Sequence, residues 1–589
     1  MRLLPPTRRD CPSSMSRRLG TVVAAGALPM LLLGWSFLFR FNDPDGSMGG
    51  LVDDHFFYLI RGWQLLHGDL PDRDFVDPGA PLTFVLAAAT QLWLGRGIWS
   101  EMAFCCALLA LSTALTYLVA RRLSGSSVIG LMAAVFQAAL QPRLYSYAKL
   151  AVYAVAVPLI WRFLDKPTPW RRFALAAITA VALLLRHDHG VFVGLLTAVA
   201  ILLLPALSLR QRARHAVLYG ALVLALLAPY LVFLQLNGGV VTHVVTANAW
   251  GQHDRERAPL VLPEWPSGPL TGDAAQEGPD WWDQGAFREA KRQFVPWTFW
   301  LLMALPVLTL ATLPWWTEHW PHTWPLARRK VALLALLGLL LNWGFLRGNL
   351  ESRFGDVSVV AGLLAACLLT VARALARGHV RRTGDGRAVA LAWRVAVPAL
   401  VLALTGYTAF VLAPPFRHRM ESANLMERTE RWWERMALVR ERGATWPLES
   451  WAKPDDPGLL RLAFYLRDCT APTDRVLVSE YWPQVAALAQ RPFAAGHGDL
   501  RPGFFDTPAD QRLAIARMRA QRVPLVVHPT GERLERFTAE FREIDQYLAA
   551  AFQSVGDFDL GNDIEIRLLA SRSIEPSGTW GATGWPCYR

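Results

Sequence analysis

Apolar positions in this chain fall in runs of about 15 to 25 residues separated by short charged segments, the spacing of helices that cross a bilayer. At 1.5 Å per residue, about 20 such positions cover the roughly 30 Å hydrocarbon core. Only helices or closed barrels satisfy every backbone amide there, and the Leu/Ala/Val runs select helices. The pattern predicts a polytopic α-helical membrane protein of about 11 to 13 spans, the first over 21–39 and the last over 391–412. The apolar stretch 81–95 is only about 22 Å long as a helix, so it is expected to be partly embedded or re-entrant.

Beyond the last span the period changes. "RVLVSE", "PLVVHP" and a final "DIEIRLLA" have the short β-branched pattern of strands, and "LLRLAFYLRD", "PADQRLAIARMRAQ" and "FREIDQYLAAAF" that of helices. The chain therefore divides into a transmembrane module, 1–413, and a C-terminal soluble α/β domain, 414–589, long enough for its own core. No internal repeat is visible, which gives no support to an inverted-repeat transporter.

Composition agrees, with 53% hydrophobic and 18% charged residues. The net charge of +12 sits mostly in short loops rather than on one soluble face, so it sets orientation and does not point to nucleic acid. Basic clusters at Arg8 to Arg18, Arg121 and Arg122, Arg162 to Arg172, Arg210 to Arg214, Arg328 to Lys330, and Arg373 to Arg387 are expected in the cytoplasm. The remaining loops, 41–80, 142–149, 186–190, 237–295, 347–356 and the chain after 413, are then periplasmic. The basic start before residue 21 has the asymmetry of a signal sequence, but no small-residue cleavage site follows, so it is expected to stay as the first span. The six cysteines show no CxxC spacing, and Cys469 and Cys587 can pair if their region is periplasmic.

The first of these loops, "LVDDHFFYLIRGWQLLHGDLPDRDFVDPGAP" (51–81), places Asp53 and Asp54 directly after the first span. Phe56, Leu59, Ile60, Trp63 and Leu66 fall near one helical face, which predicts an amphipathic helix lying on the outer leaflet. Asp53 and Asp54 are on one reading an N-cap and a dipole partner for that helix. The arrangement of a first span, an acidic pair, an interfacial helix and "DRDFVDPGAPLTF" resembles the lipid-linked-sugar glycosyltransferases of the GT-C superfamily. Its bacterial members similar to protein mannosyltransferases and aminoarabinose transferases (family 39-like) resemble it most. Asp53 and Asp54 match the family's acidic pair, and Arg73, Asp74, Phe75 and Pro81 match its second stretch, with Gly79-Ala80 where many relatives have proline. The resemblance implies a carboxylate base at Asp53 or Asp54 and a polyprenyl-phosphate sugar donor.

Chemistry asks for the same parts. A carboxylate at the membrane surface can deprotonate an attacking hydroxyl, contributing about 10²- to 10⁴-fold. Fixed cations can stabilise the departing phosphate. Arg353 in "NLESRFGDV" is the first candidate, its alternative being an interfacial arginine that snorkels or pairs with Glu351 or Asp356. Arg143 and Lys149 in "QPRLYSYAKL", and Arg73 and Asp77 in the first loop, are further candidates for substrate binding. Arg186 and Asp188 in "LLLRHDHGVFVGLL" are either a tight turn closed by an ion pair or a wall of the pocket. His187 and His189 at i, i+2 point apart on a helix, so no metal ligands are assigned there. No cofactor is required, although a divalent metal is compatible with the chemistry. The long segment 237–295, with Trp250, Trp265, Trp281 and Trp282, has the composition of a lid or acceptor groove, or of an insert with membrane-belt tryptophans.

The expected function is transfer of a sugar, with inversion, to a lipid, glycan or protein acceptor at the periplasmic face of a bacterial inner membrane. The rivals are an envelope-lipid flippase, which would place essential acids near the midplane of its spans, and an inactive scaffold of the same fold.

Overall fold

Three of the basic clusters expected in the cytoplasm have a helix-starting residue beside or within them. Ser126 accepts a hydrogen bond from the Ile129 amide, Thr168 from Arg171, and Ser208 forms a reciprocal box with Gln211. The computed structural model describes residues 26–43, 53–95, 97–205, 207–257, 260–266, 281–316, 325–346, 350–377, 387–444, 457–498, 500, 504–560, 564–581 and 584–589. Among these, six helices are long and apolar enough to cross a membrane: Ile98–Ser124, Leu144–Asp165, Leu209–Leu236, Arg292–Trp315, Gly355–Ala376 and Arg394–Ser422. Leu28–Phe41, Pro81–Leu94, Ser127–Ala139 and His187–Leu202 are shorter apolar helices. The doubtful stretch 81–95 is thus one helix, ended where Gly95 takes a positive φ of 93°. The last helix runs on to Ser422, past 413, as part of the 36-residue Arg387–Ser422.

Loops gather at two ends of the bundle. At the basic end Lys330 pairs with Asp165 at 2.6 Å, Trp161 donates to the Lys330 carbonyl, and Arg329 donates to the Leu203 carbonyl. The opposite end collects the segments rich in acids and aromatics. There Asp43, just past the helix Leu28–Phe41, accepts from Arg419 and Ser422 at 2.8 Å, which fixes the helix Arg387–Ser422 to it.

The C-terminal domain contains a four-stranded sheet in the order β1 (Val476–Val478), β2 (Leu525–Pro529), β4 (Glu565–Ser571), β3 (Phe552–Asp559), with β1 and β2 parallel and the other pairs antiparallel. Side chains alternate across it. Leu477 and Val526 face Met518, Phe537, Ile544 and Leu548, while Val476, Val527, Ile566 and Leu568 join the core that holds Leu462, Tyr465 and Leu466. The expected helices appear as Pro457–Cys469, Pro508–Ala520 and Arg542–Ala551. "DIEIRLLA" is not the last strand. A hairpin of β5 (Gly578–Trp580) and β6 (Trp585–Cys587) follows, and Cys587 is disulfide-bonded to Cys469.

The helix Asp53–Leu66 forms as the sequence predicts but does not simply lie on a leaflet. Besides Phe57, Leu59 and Ile60, it buries His55, Arg61 and Gln64. The reason is a second cover: the helix Pro483–Ala489 of the C-terminal domain packs on it, Phe57 meets Tyr481 at 5.5 Å, and Arg61 is caged by Phe57 and Phe84 at 4.8 and 5.0 Å. Arg61 contributes its delocalised charge to aromatic faces in place of water.

Candidate functional site

Four chain segments converge at the acidic end, and two glycines set how closely. Gly355 packs against the backbone of Pro142, so a Cβ there would collide and the segment 350–357 would leave the loop 141–149. Gly79, at a φ of +94°, lies against the His187 ring, and its carbonyl accepts the His187 amide at 3.1 Å. Thr83 adds a bond to the Leu185 carbonyl at 3.0 Å.

On this wall Lys149 and Asp356 form a buried ion pair, and the second oxygen of Asp356 accepts from Ser146 at 2.6 Å. Arg143 donates to the Tyr145 hydroxyl at 2.5 Å and sits over its ring, as does Lys149, with ring distances of 5.5 and 5.8 Å. His55, one residue after Asp54, meets the same ring edge-on at 5.8 Å. Tyr145 therefore joins the start of the first-loop helix to two of the expected cations. The side chains of Asp53 and Asp54 lie outside the described residues, while their backbone opens the helix.

Arg186 and Asp188 take the tight-turn form, with Nε to Oδ1 at 3.0 Å and Asp188 also accepting the His189 amide at 2.8 Å. Behind them Tyr153 bonds the His189 ring. Burial disfavours the Arg186 charge, but Asp188, Tyr58 and Asp356 outweigh it and push its pKa above the ordinary arginine value. The turn is thus electrostatically continuous with the Lys149–Asp356 pair. Arg353 is half-buried one turn before Asp356, in the short helical segment Glu351–Phe354.

Arg73 and Asp77 occupy a neighbouring cluster. Arg73 stays in its own loop, bonded to Asp74 at 2.7 Å and to the Gly68 carbonyl at 2.8 Å, with 48% of its side chain exposed. Asp77 is buried, closes its turn by accepting the Gly79 and Ala80 amides at 2.8 Å, and accepts the Tyr230 hydroxyl at 3.1 Å. Burial and then the charge of Asp72 raise the Asp77 pKa in spite of those amides. Asp72 pairs at 2.9 Å with His243, on the helix Val240–Arg257 of the long segment. Burial works against the His243 charge, yet the bond and charge of Asp72 win and raise its pKa.

Of that segment's tryptophans, Trp265 packs on Trp300 at 5.1 Å, and the side chains of Trp250, Trp281 and Trp282 lie outside the described residues. Sequence reasoning missed Tyr145, Ser146, Tyr153 and His243. For the first three the signal was the polar spacing of "RLYSYAKLAVY" at a span entrance. His243 stands alone in an apolar run and gave no comparable sign.

No known family profile and no curated protein matches this chain. Among solved structures it is similar to ArnT from Cupriavidus metallidurans bound to undecaprenyl phosphate, at 14% identity over 94% of this chain and 98% of that chain, with a TM-score of 0.44. The apo state of the same protein gives 14% identity, the same coverage and a TM-score of 0.41. A superposition this loose establishes no shared site.

Proposed function

We propose that this protein is a membrane glycosyltransferase that moves a sugar from a polyprenyl-phosphate donor to a hydroxyl of a lipid, glycan or protein acceptor, inverting the anomeric centre. Asp53, or Asp54, is the base that takes the hydroxyl proton. Arg353, Arg186, Arg143 and Lys149 hold the phosphate as it leaves, with Asp188 orienting Arg186, and Arg73 and Asp77 keep the first loop in shape beside the donor. The chain crosses the bilayer about 11 to 13 times, and the acidic end with the C-terminal domain, 414–589, faces the periplasm. The Cys469–Cys587 disulfide supports that side, since such bonds persist in oxidising compartments.

The observation that carries the reading is the meeting at Tyr145. One ring gathers Arg143 and Lys149 and, through His55, the turn that begins with the acidic pair. A base and a cationic phosphate seat are what a single displacement from a lipid phosphate needs within one cavity. The acids gather at one end of the bundle, which is where a surface reaction places them.

The test is transfer by purified protein from radiolabelled polyprenyl-phosphate sugars to membrane acceptors. Asp53→Asn is expected to lower kcat by about 10²-fold or more with donor binding retained. Full transfer in both Asp53→Asn and Asp54→Asn would remove the base assignment. Lipid movement across vesicles with no covalent transfer would replace the enzyme by a flippase.

A further inference from the structure

We propose that His55, Glu101 and Cys105 form a transition-metal site of the zinc class, tying the start of the first-loop helix to the span beneath it. His55 lies in the first turn of Asp53–Leu66, and Glu101 and Cys105 lie one turn apart near the beginning of Ile98–Ser124. An imidazole nitrogen, a carboxylate oxygen and the thiol sulfur all lie within 4.8 Å of one another. The three residues are 1%, 1% and 0% exposed.

Geometry and chemistry agree on the class of ion. Residues at i and i+4 share a helix face, so Glu101 and Cys105 point the same way, and their Oε1 and Sγ are 3.8 Å apart. Bonds of about 2.0 to 2.3 Å in a tetrahedral site put neighbouring ligand atoms roughly 3.3 to 3.8 Å apart. That pair is at this spacing, and a shift of about 1 Å brings His55 to it. Mixed nitrogen, sulfur and oxygen donors suit zinc and its neighbours, whereas magnesium and calcium take all-oxygen sets.

A second observation points to a cation. The other oxygen of Glu101, Oε2, is fully buried and has no hydrogen-bond partner among the described residues. A carboxylate oxygen left so carries a desolvation cost that a bound cation removes. Cys106 is equally buried but is not one of the three clustered ligands, so the neighbouring thiol serves as an internal control.

Three protein ligands leave one position for a water or another group. The function of the site is positional: it would fix the turn that bears Asp53 and Asp54 against the span. That consequence rests on the proposed transfer reaction, while the site itself does not.

The experiment uses the full chain without an affinity tag, in detergent micelles, stripped with EDTA and titrated with Co²⁺ and then Zn²⁺. One equivalent of Co²⁺ is expected, with tetrahedral d–d bands and a sulfur-to-cobalt charge-transfer band that Zn²⁺ abolishes. Cys105→Ser should lose the charge-transfer band and Cys106→Ser should keep it. Glu101→Gln should weaken binding at least tenfold. Uptake by wild type no greater than by His55→Ala/Glu101→Gln/Cys105→Ser, or an unchanged band in Cys105→Ser, overturns the proposal. If the variants do not fold, X-ray absorption of zinc-loaded wild type decides: one sulfur per zinc supports the site and none refutes it. Neither readout depends on sugar transfer, so loss of the enzymatic reading leaves this result standing.

Discussion

Lys149 meets a neutralising partner, Asp356, in a place from which water is excluded. A buried pair of this kind is costly to break from one side, because the remaining charge has no water and loses its bonded partner, and removal of one partner typically costs about 3 to 5 kcal/mol. Lys149→Met should therefore lower the apparent stability of the purified protein by about that amount, seen as a reduced midpoint in thermal unfolding. Adding Asp356→Asn should recover most of the loss. Asparagine removes the orphaned charge and keeps an acceptor for the Ser146 hydroxyl, which now donates to Asp356 at 2.6 Å. The same pair of variants separates packing from chemistry. If Lys149 also touches the donor phosphate, the refolded double variant stays at least tenfold down in transfer. Recovery of transfer along with stability would reduce Lys149 to a structural cation.

Between elements, the contact of most consequence is the docking of the helices Leu209–Leu236 and Val240–Arg257 on the first-loop turn, Tyr230 of the first reaching Asp72 and Asp77 and His243 of the second pairing with Asp72. The folded state raises the pKa of both His243 and Asp77, so it favours their protonated forms. A raised value contributes stability below the ordinary pKa that is lost as pH rises through the folded one. For Asp77 that loss begins from about pH 4, and for His243 from about pH 6.5 upward. Backbone amides of 69–77 and 240–248 are thus expected to exchange faster at about pH 8.5 than at about pH 6 after correction for intrinsic rates. In His243→Gln the step above neutrality should vanish, and an unchanged step would assign it elsewhere. None of this contact was visible in the sequence, because Asp72 and His243 are far apart in the chain and a lone histidine has no period. Elements with a strong local signal were legible: the helix from Asp53 and the strands "VLV" and "LVVHP". Strand β3, "FQSVGDFD", was not, since Gly556 and two aspartates interrupt its alternation, and its pairing with β4 shifts register between Ser554 and Gly556. The burial of both faces of the first-loop helix was hidden for a related reason. A periodicity shows which face is apolar, and it cannot show that a distant domain will cover the polar one.

For the molecule as a whole, that cover changes what the C-terminal domain is for. The first loop is bounded by spans on one side and by this domain on the other: Val76 donates its amide to the Gly496 carbonyl at 3.0 Å, Phe75 meets Phe493 edge-on at 6.0 Å, and Arg517 donates to the Arg73 carbonyl at 3.1 Å. Arg475, the residue before β1, closes the set with Asp69 at 2.7 Å, their side chains 18% and 12% exposed. A sheet is a stiffer support than a loop, so the domain holds the turn that follows the first-loop helix in one conformation. Among the described residues, Arg475→Ala leaves the Asp69 carboxylate with only the Gln64 side-chain amide, at 2.8 Å. Charge-assisted bonds of this kind are worth about 1.5 to 3 kcal/mol, or roughly ten- to a hundredfold in a local opening equilibrium. Amides of 69–77 should then exchange faster by that factor, while those of β1 and β2, whose core of Leu477, Val526 and Phe537 is untouched, stay protected. The swapped variant Asp69→Arg/Arg475→Asp should regain part of the protection. Equal loosening of loop and sheet in Arg475→Ala would mean that the domain had unfolded, and no loosening of either would mean that the ion pair does not brace the loop.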